Sequence, residues 1–184
     1  MLRSSLATLA LFASLGLAAA PALAQAPDPA NTLILETKDG PVTIRLRPDL
    51  APKHVEQIKT LTKRGFYNGI VFHRVIDGFM AQTGDPTGTG TGSSDLPNIK
   101  AEFTPTPYKV GSVGMARSQS PDSANSQFFI CYEGCGPLTG QYTLFGEVVS
   151  GMDAVRKIKK GAPGSGQVSG PDKIVRMRLQ SDAK

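Results

Sequence analysis

The spacing of apolar and polar positions predicts short β-strands along most of the chain. Residues 32–37 and 42–47 are short β-type runs, and the turn signal Lys38-Asp39-Gly40 between them predicts a hairpin. Further extended runs are predicted at residues 79–82, 110–116, 127–132, 143–149 and 174–179.

Two segments have helical spacing instead. Residues 51–64 place Val55, Ile58 and Leu61 on one face, with a proline near the start and a glycine just after the end. A shorter helix is predicted over residues 153–160. Because strands dominate and the helices are far apart in sequence, we expect a mainly β fold, a closed or nearly closed antiparallel sheet capped by two α-helices.

The first 24 residues have the pattern of a secretory signal peptide. Arg3 is a short positive region, residues 6–20 are apolar or small, and Ala22-Leu23-Ala24 is a small-x-small cleavage site. The apolar run of about 15 residues is shorter than the roughly 18–20 needed to span a bilayer, so a permanent anchor is disfavoured. We expect cleavage after Ala24, with Ala26 as a second candidate, and export to the periplasm without stable membrane insertion.

Composition indicates one ordinary globular domain. The chain has 184 residues, with 20 Lys and Arg against 15 Asp and Glu, and the basic residues are scattered apart from a cluster at residues 156–160. Such a cluster is typical of a solvated helix face, so no nucleic-acid partner is expected. Without heptad repeats we expect a monomer. The predicted organisation is a signal peptide at 1–24, a linker at 25–31, a domain at 32–180 and a tail at 181–184.

The middle of the chain holds the candidate chemistry. In extended residues 79–82, Met80 and Gln82 share one face, and Gln127 and Phe129 share a face in the same way. With Arg74 they would form an apolar pocket with amides and a guanidinium at its rim. Periodicity alone favours the alternative, in which the apolar side chains belong to the core and the polar side chains face solvent.

Three ordered motifs change that weighting. They are residues 71–90 (VFHRVIDGFMAQTGDPTGTG), 126–130 (SQFFI) and 144–153 (LFGEVVSGMD). Together they closely resemble the signature of the cyclophilins, the peptidyl-prolyl cis-trans isomerases. The likeness extends from about residue 32 to residue 179. It implies a closed eight-stranded antiparallel β-barrel capped by two α-helices.

The resemblance also implies a mechanism, with no metal and no cofactor. Isomers of an X–Pro bond differ by only about 0.5–1 kcal/mol, but the rotation barrier is about 18–20 kcal/mol. A donor aimed at the prolyl nitrogen would stabilise the twisted amide selectively. Arg74 occupies the position of the family's catalytic arginine. The implied substrate-binding residues are Phe79, Met80, Gln82, Arg117, Gln127, Phe129, Leu138 and Tyr142.

The expected partners are proline-containing polypeptides, and the expected role is the folding of exported proteins. The alternative is a proline-peptide-binding chaperone module with vestigial isomerase activity. Pro137, Tyr142 and Arg117 stand where the best-known eukaryotic members carry Trp, His and Asn, although similar variation occurs among bacterial cyclophilins. Losing the indole donor predicts weak binding of cyclosporin.

Three other features have structural interpretations. Cys131 and Cys135 are either a disulfide, which an oxidising compartment permits, or buried thiols. His54 and His73 have no carboxylate or thiol at ligand spacing, which predicts structural roles and leaves no hydrolase triad. The glycine-rich residues 84–92 lack the ending of a phosphate loop, so we expect a loop with positive φ angles.

Overall fold

The computed structural model describes residues 28–182. The predicted signal peptide, residues 25–27 of the predicted linker and the last two residues lie outside the described residues. The strands are β1 (Thr32–Thr37), β2 (Gly40–Leu46), β3 (Arg74–Ile76), β4 (Met80–Thr83), β5 (Ser112–Met115), β6 (Phe128–Cys131), β7 (Leu144–Ser150) and β8 (Arg176–Leu179). The α-helices are α1 (Pro52–Lys63) and α2 (Met152–Lys157).

The predicted hairpin of β1 and β2 is confirmed. Leu33 pairs with Ile44 and Leu35 with Val42, and all four side chains are buried. Alternate residues of a strand point to the same face, so the apolar positions of both strands contribute to one core.

Helix α1 is also confirmed, with Val55, Ile58 and Leu61 buried against the sheet. It begins at Pro52. The first turn of a helix has no acceptor for the N–H at this position, so a residue without an N–H fits there. Just beyond its end at Lys63, Gly65 has a φ of +70°, which lets the N–H of Phe66 reach the carbonyl of Leu61. The glycine after the predicted helix therefore terminates it.

The strands form one antiparallel sheet in the order β3-β4-β6-β5-β7-β2-β1-β8. The fold is mainly β with two α-helices, as expected. The prediction of a closed barrel is wrong, because the sheet is open. The edge strands β3 and β8 have no ladder between them. Residues 158–175 are rich in glycine and proline and run between the two edges. They form two isolated bridges, Arg74 with Gln167 and Val71 with Lys173, and scattered backbone hydrogen bonds, but no ladder. Positive-φ glycines break the regular backbone that a closing ladder requires.

Element ends account for most of the other differences. Strand β1 has the predicted bounds, whereas the other predicted strands start or end one or two residues away from the expected positions. Helix α2 ends at Lys157 because Ile158 is extended. Strand β3 was not predicted, since three residues are too few to show a period. No helix within residues 28–182 is long and apolar enough to span a bilayer.

Cys131 and Cys135 form a disulfide, which decides between the two alternatives left open by the sequence. The disulfide closes the short loop between β6 and the 3-10 turn Gly136–Leu138. Both cysteines are buried in a small apolar cluster with Met80 and Phe129. The bridge therefore lies directly behind the candidate site.

The two histidines are buried, as expected for structural roles. His54 Nδ1 lies 2.6 Å from Glu102 Oε2, and the same carboxylate accepts the backbone N–H of His54. Burial lowers the pKa of His54, and Glu102 offsets only part of that effect. Burial also lowers the pKa of His73. In the described chain no cluster of three or more His, Cys, Asp or Glu side chains is arranged to hold a metal.

Candidate active site

The β3–β4 hairpin brings Arg74 opposite Gln82. The two residues are paired in the strand register, and Arg74 Nη1 donates to Gln82 Oε1 at 3.3 Å. Arg74 Nε donates to the carbonyl of Ser165 at 3.1 Å. Val75, the next residue of β3, points inward and is fully buried. Because neighbouring residues of a strand point to opposite faces, Arg74 projects to the other face.

Side-chain amides extend this arrangement into a chain of hydrogen bonds. Gln82 Nε2 donates to Gln127 Oε1 at 2.9 Å. Gln127 Nε2 in turn donates to the carbonyls of Gly90 and Gly92, at 3.0 and 2.9 Å. Each amide therefore accepts on one side and donates on the other, which fixes the orientation of Gln82 beside Arg74.

The glycine-rich loop supplies the end of that chain. Gly84, Gly88 and Gly90 have positive φ, as expected. The carboxylate of Asp85 accepts from the N–H and hydroxyl of Thr87 and from the N–H of Gly90. These hydrogen bonds, against the opposing effect of burial, lower the pKa of Asp85 to about 2, so the carboxylate stays charged and holds the loop.

A small apolar pocket of about 110 Å³ opens beside Arg74. Phe129 on β6 lies opposite Gln82 in register, and its ring packs edge-on to Tyr142 with centroids 5.9 Å apart. Met80 is buried at the base, while Phe79 lies in the turn just before β4 and still reaches the pocket. The lining residues are Arg74, Phe79, Met80, Gln82, Ala116, Arg117, Phe129, Leu138 and Tyr142.

The structure thus brings eight of the nine residues singled out from the sequence into one pocket. The ninth, Gln127, lines the neighbouring groove and contacts the pocket through Gln82. The alternative favoured by periodicity alone is right that Met80 and Phe129 are buried core side chains. It is wrong that the glutamines are simply solvated, because both are bonded within the amide chain.

Sequence reasoning missed the residues behind Phe129. Tyr108 stacks on the Phe129 ring with centroids 5.9 Å apart and is itself buried. Gly114 on β5 faces Phe129 in register, and a Cβ there would lie 2.5 Å from the ring and closer still to the Tyr108 hydroxyl. Only glycine therefore fits. A glycine inside a predicted strand was the one available signal of this close approach.

A larger groove of about 450 Å³ adjoins the pocket and was also missed. Its walls come from the glycine-rich loop and from residues 116–127, with Asn98 between them. The lining residues are Gln82, Gly90, Thr91, Gly92, Ser93, Asn98, Ala116, Arg117, Ser118, Ser123, Asn125 and Gln127. Most of these carry no pattern that periodicity could have detected.

Comparison with known proteins decides what this site belongs to. The family model described as "Cyclophilin type peptidyl-prolyl cis-trans isomerase/CLD" matches residues 32–179, which include every residue of the pocket. The chain belongs to this family. It is therefore a cyclophilin-type peptidyl-prolyl cis-trans isomerase, and the expected family and enzyme class are confirmed.

Relatives and solved structures agree. The probable peptidyl-prolyl cis-trans isomerase of Brucella suis is 53% identical, over 100% of this chain and 98% of the relative. A cyclophilin from Hirschia baltica superposes with a TM-score of 0.75 at 29% identity, covering 85% of this chain and 76% of that one. A Cryptosporidium parvum cyclophilin, determined in the presence of the dipeptide Ala-Pro, gives a TM-score of 0.73 at 28% identity, covering 80% and 98%.

Proposed function

We propose that Arg74 is the catalytic group of this isomerase and that the apolar pocket holds the proline ring of the substrate. One observation carries the proposal: a guanidinium held by neutral oxygens stands at the edge of a pocket walled by Met80, Phe129 and Leu138. An apolar pocket with the Arg74 guanidinium at its edge suits a proline ring, which has no N–H, next to an amide bond that must twist.

The chemistry needs no bond to be made or broken. Rotation removes the amide resonance and leaves a lone pair on the prolyl nitrogen, which a guanidinium N–H can bind in the twisted state but not in the planar one. A hydrogen bond from a charged donor contributes about 1.5–3 kcal/mol, so losing it should slow rotation by about tenfold to 150-fold. Gln82, oriented by Gln127, is placed to hold the peptide backbone.

Exchange NMR on a short Ala-Pro peptide tests this directly. We expect the wild-type domain to accelerate cis-trans interconversion, Arg74→Ala to lose most of that acceleration, and Arg74→Lys to fall between them. Arg176→Ala, on the exposed face of edge strand β8, is the matched control and should behave as the wild type.

Peptide titration separates catalysis from binding. Arg74→Ala should still shift its pocket resonances when the peptide is added, and its melting temperature should stay near that of the wild type. If Arg74→Ala isomerises the peptide as fast as the wild type, Arg74 is not catalytic. If the folded wild type binds the peptide without accelerating exchange, the chaperone alternative is correct for this chain.

We propose, further, that the substrates are exported polypeptides and that the mature chain works in the periplasm as a monomer. The signal-peptide pattern of residues 1–24 and the Cys131–Cys135 disulfide support this, because disulfides persist in oxidising compartments. Mass spectrometry of the periplasmic fraction should find a mature N-terminus at Gln25 and one oxidised disulfide. An intact N-terminus in the cytoplasmic fraction would contradict export, and a dimer by light scattering would contradict the monomer.

A further inference from the structure

Arg117 stands in the wall between the proline pocket and the larger groove. It follows β5, and it lines both cavities together with Gln82 and Ala116. A peptide whose proline occupies the pocket and whose neighbouring residues enter the groove must therefore pass this side chain.

Neutral partners hold the Arg117 guanidinium in place. Nε and Nη2 donate to the carbonyl of Gln141 at 3.2 and 3.1 Å, and Nη1 donates to the carbonyls of Ser118 and Gln119 at 2.9 and 3.3 Å. The guanidinium carbon lies 4.5 Å from the centroid of the Tyr142 ring. These contacts order the side chain but leave its charge without a carboxylate partner among the described residues.

Arg74 adds a second positive charge to the same lining. Its partners, Gln82 and Ser165, are neutral oxygens as well. Within residues 28–182, no Asp or Glu side chain lines either cavity. The two joined cavities therefore present two guanidinium groups to a bound peptide and no opposing carboxylate.

Three carboxylates lie near the groove in sequence without lining the cavities. Asp85 belongs to the glycine-rich loop, where it is buried and bonded to other loop residues. Asp95 forms an ion pair with Arg64. The carboxylate of Asp122 accepts from the N–H of Ala101. Each of these carboxylates therefore already has a partner within the domain.

Building on the proposed isomerase function, we propose that Arg117 makes this enzyme select substrates with an acidic side chain two or three residues from the proline. An extended peptide advances about 3.3 Å per residue. Because the groove shares a wall with the proline pocket, a peptide side chain two or three positions from the proline reaches the groove. Because Arg117 is already ordered, binding a carboxylate costs little further side-chain entropy.

The effect should be modest because the groove is open to solvent. Exposed ion pairs contribute about 0.2–1 kcal/mol, so a glutamate peptide should have a kcat/KM about 1.5- to fivefold above that of its glutamine counterpart. A lysine peptide should fall below the glutamine peptide by a similar factor. Raising the salt to about 1 M shortens the screening length to about 3 Å and should bring the three values together.

The experiment uses alanine-based peptides with one proline that carry Glu, Gln or Lys two or three residues before the proline, and a second set with the variable residue two or three residues after it. Exchange NMR gives kcat/KM for each peptide. We expect the order Glu, Gln, Lys on at least one side of the proline. In Arg117→Gln the Glu-to-Gln ratio should fall to about one, whatever happens to the absolute rates, and in Arg117→Lys a preference should remain.

Arg176→Gln is the matched control, because it removes one positive charge from the same domain away from the groove. It should keep the wild-type ratio. Equal rates for all three peptides on both sides, or a preference that survives in Arg117→Gln, would overturn the selectivity proposal while leaving the isomerase intact. If no peptide is isomerised by the wild type, the proposed function itself fails.

Discussion

Gly114→Ala should damage both the stability of the domain and its proline pocket. The added methyl group would lie 2.5 Å from the Phe129 ring, whereas carbon atoms pack best at about 3.5–4.0 Å. The ring must therefore retreat by about 1 Å. Phe129 and Tyr108 are buried and stacked on each other, so they cannot move apart freely, and the displaced Phe129 ring has the pocket on its other side.

Overpacking of this kind costs about 1–3 kcal/mol. In a domain of this size, each kcal/mol lowers the Tm by about 2–4 °C. Urea denaturation should therefore give a reduced free energy of unfolding, and thermal unfolding a Tm several degrees lower. Because the pocket is narrowed, KM for an Ala-Pro peptide should rise severalfold at a temperature where the variant is fully folded, while kcat changes less.

Gly136→Ala is the matched control for this prediction. It is the same chemical change, but the new Cβ meets no atom within 4 Å, and the φ angle of Gly136 is not positive. Because Gly136 begins a 3-10 turn and precedes Pro137, a Cβ there restricts the backbone, so the control should lose some stability but less than Gly114→Ala. If Gly114→Ala is as stable as the control and keeps the wild-type KM, the close approach between β5 and the aromatic pair is not real and the reasoning fails.

Three more predictions follow from other parts of the molecule. Burial lowers the pKa of His54 and of His73, so below about pH 6.5 the unfolded chain binds more protons than the folded one. The free energy of unfolding should therefore fall between about pH 7 and pH 5, less so in the double variant His54→Gln/His73→Gln, and a flat wild-type profile would refute this. Replacing Cys131 and Cys135 by Ser should cost about 2 kcal/mol in denaturant unfolding, from the entropy of closing so short a loop, and reducing agent should then have no further effect on the variant. Because the chain has no tryptophan, cyclosporin should bind weakly, and a nanomolar dissociation constant by titration calorimetry would contradict this.

Local patterns predicted the elements with clear periods. The β1–β2 hairpin and α1 follow from alternation and from helical spacing, since each buries one face against a common core. Strand β3 could not be predicted, because its three residues are too few to show a period and its extended conformation depends on pairing with β4. The prediction of a closed barrel was wrong for a related reason. Whether the edge strands β3 and β8 meet depends on the path of residues 158–175 in space.

The candidate site divides in the same way. The resemblance of the ordered motifs to the cyclophilins implied roles for Arg74, Gln82 and Phe129, and the strand register of the structure places them on neighbouring strands opposite one another. No local signal linked Tyr108, which lies outside the strands, to Phe129 on β6, since their contact depends on the missing Cβ of Gly114 on β5.

The sequence by itself determined the strands and helices with clear periods, the family and eight of the nine residues that line the pocket beside Arg74. Only the tertiary structure decided that the sheet stays open, that Cys131 and Cys135 are joined and that Arg117 borders two cavities. The physical reason is the distance along the chain over which each kind of interaction acts. Periodicity and turn chemistry act between residues a few positions apart, whereas a cavity, a bridge across a loop or an unpaired charge depends on which distant segments share the same space.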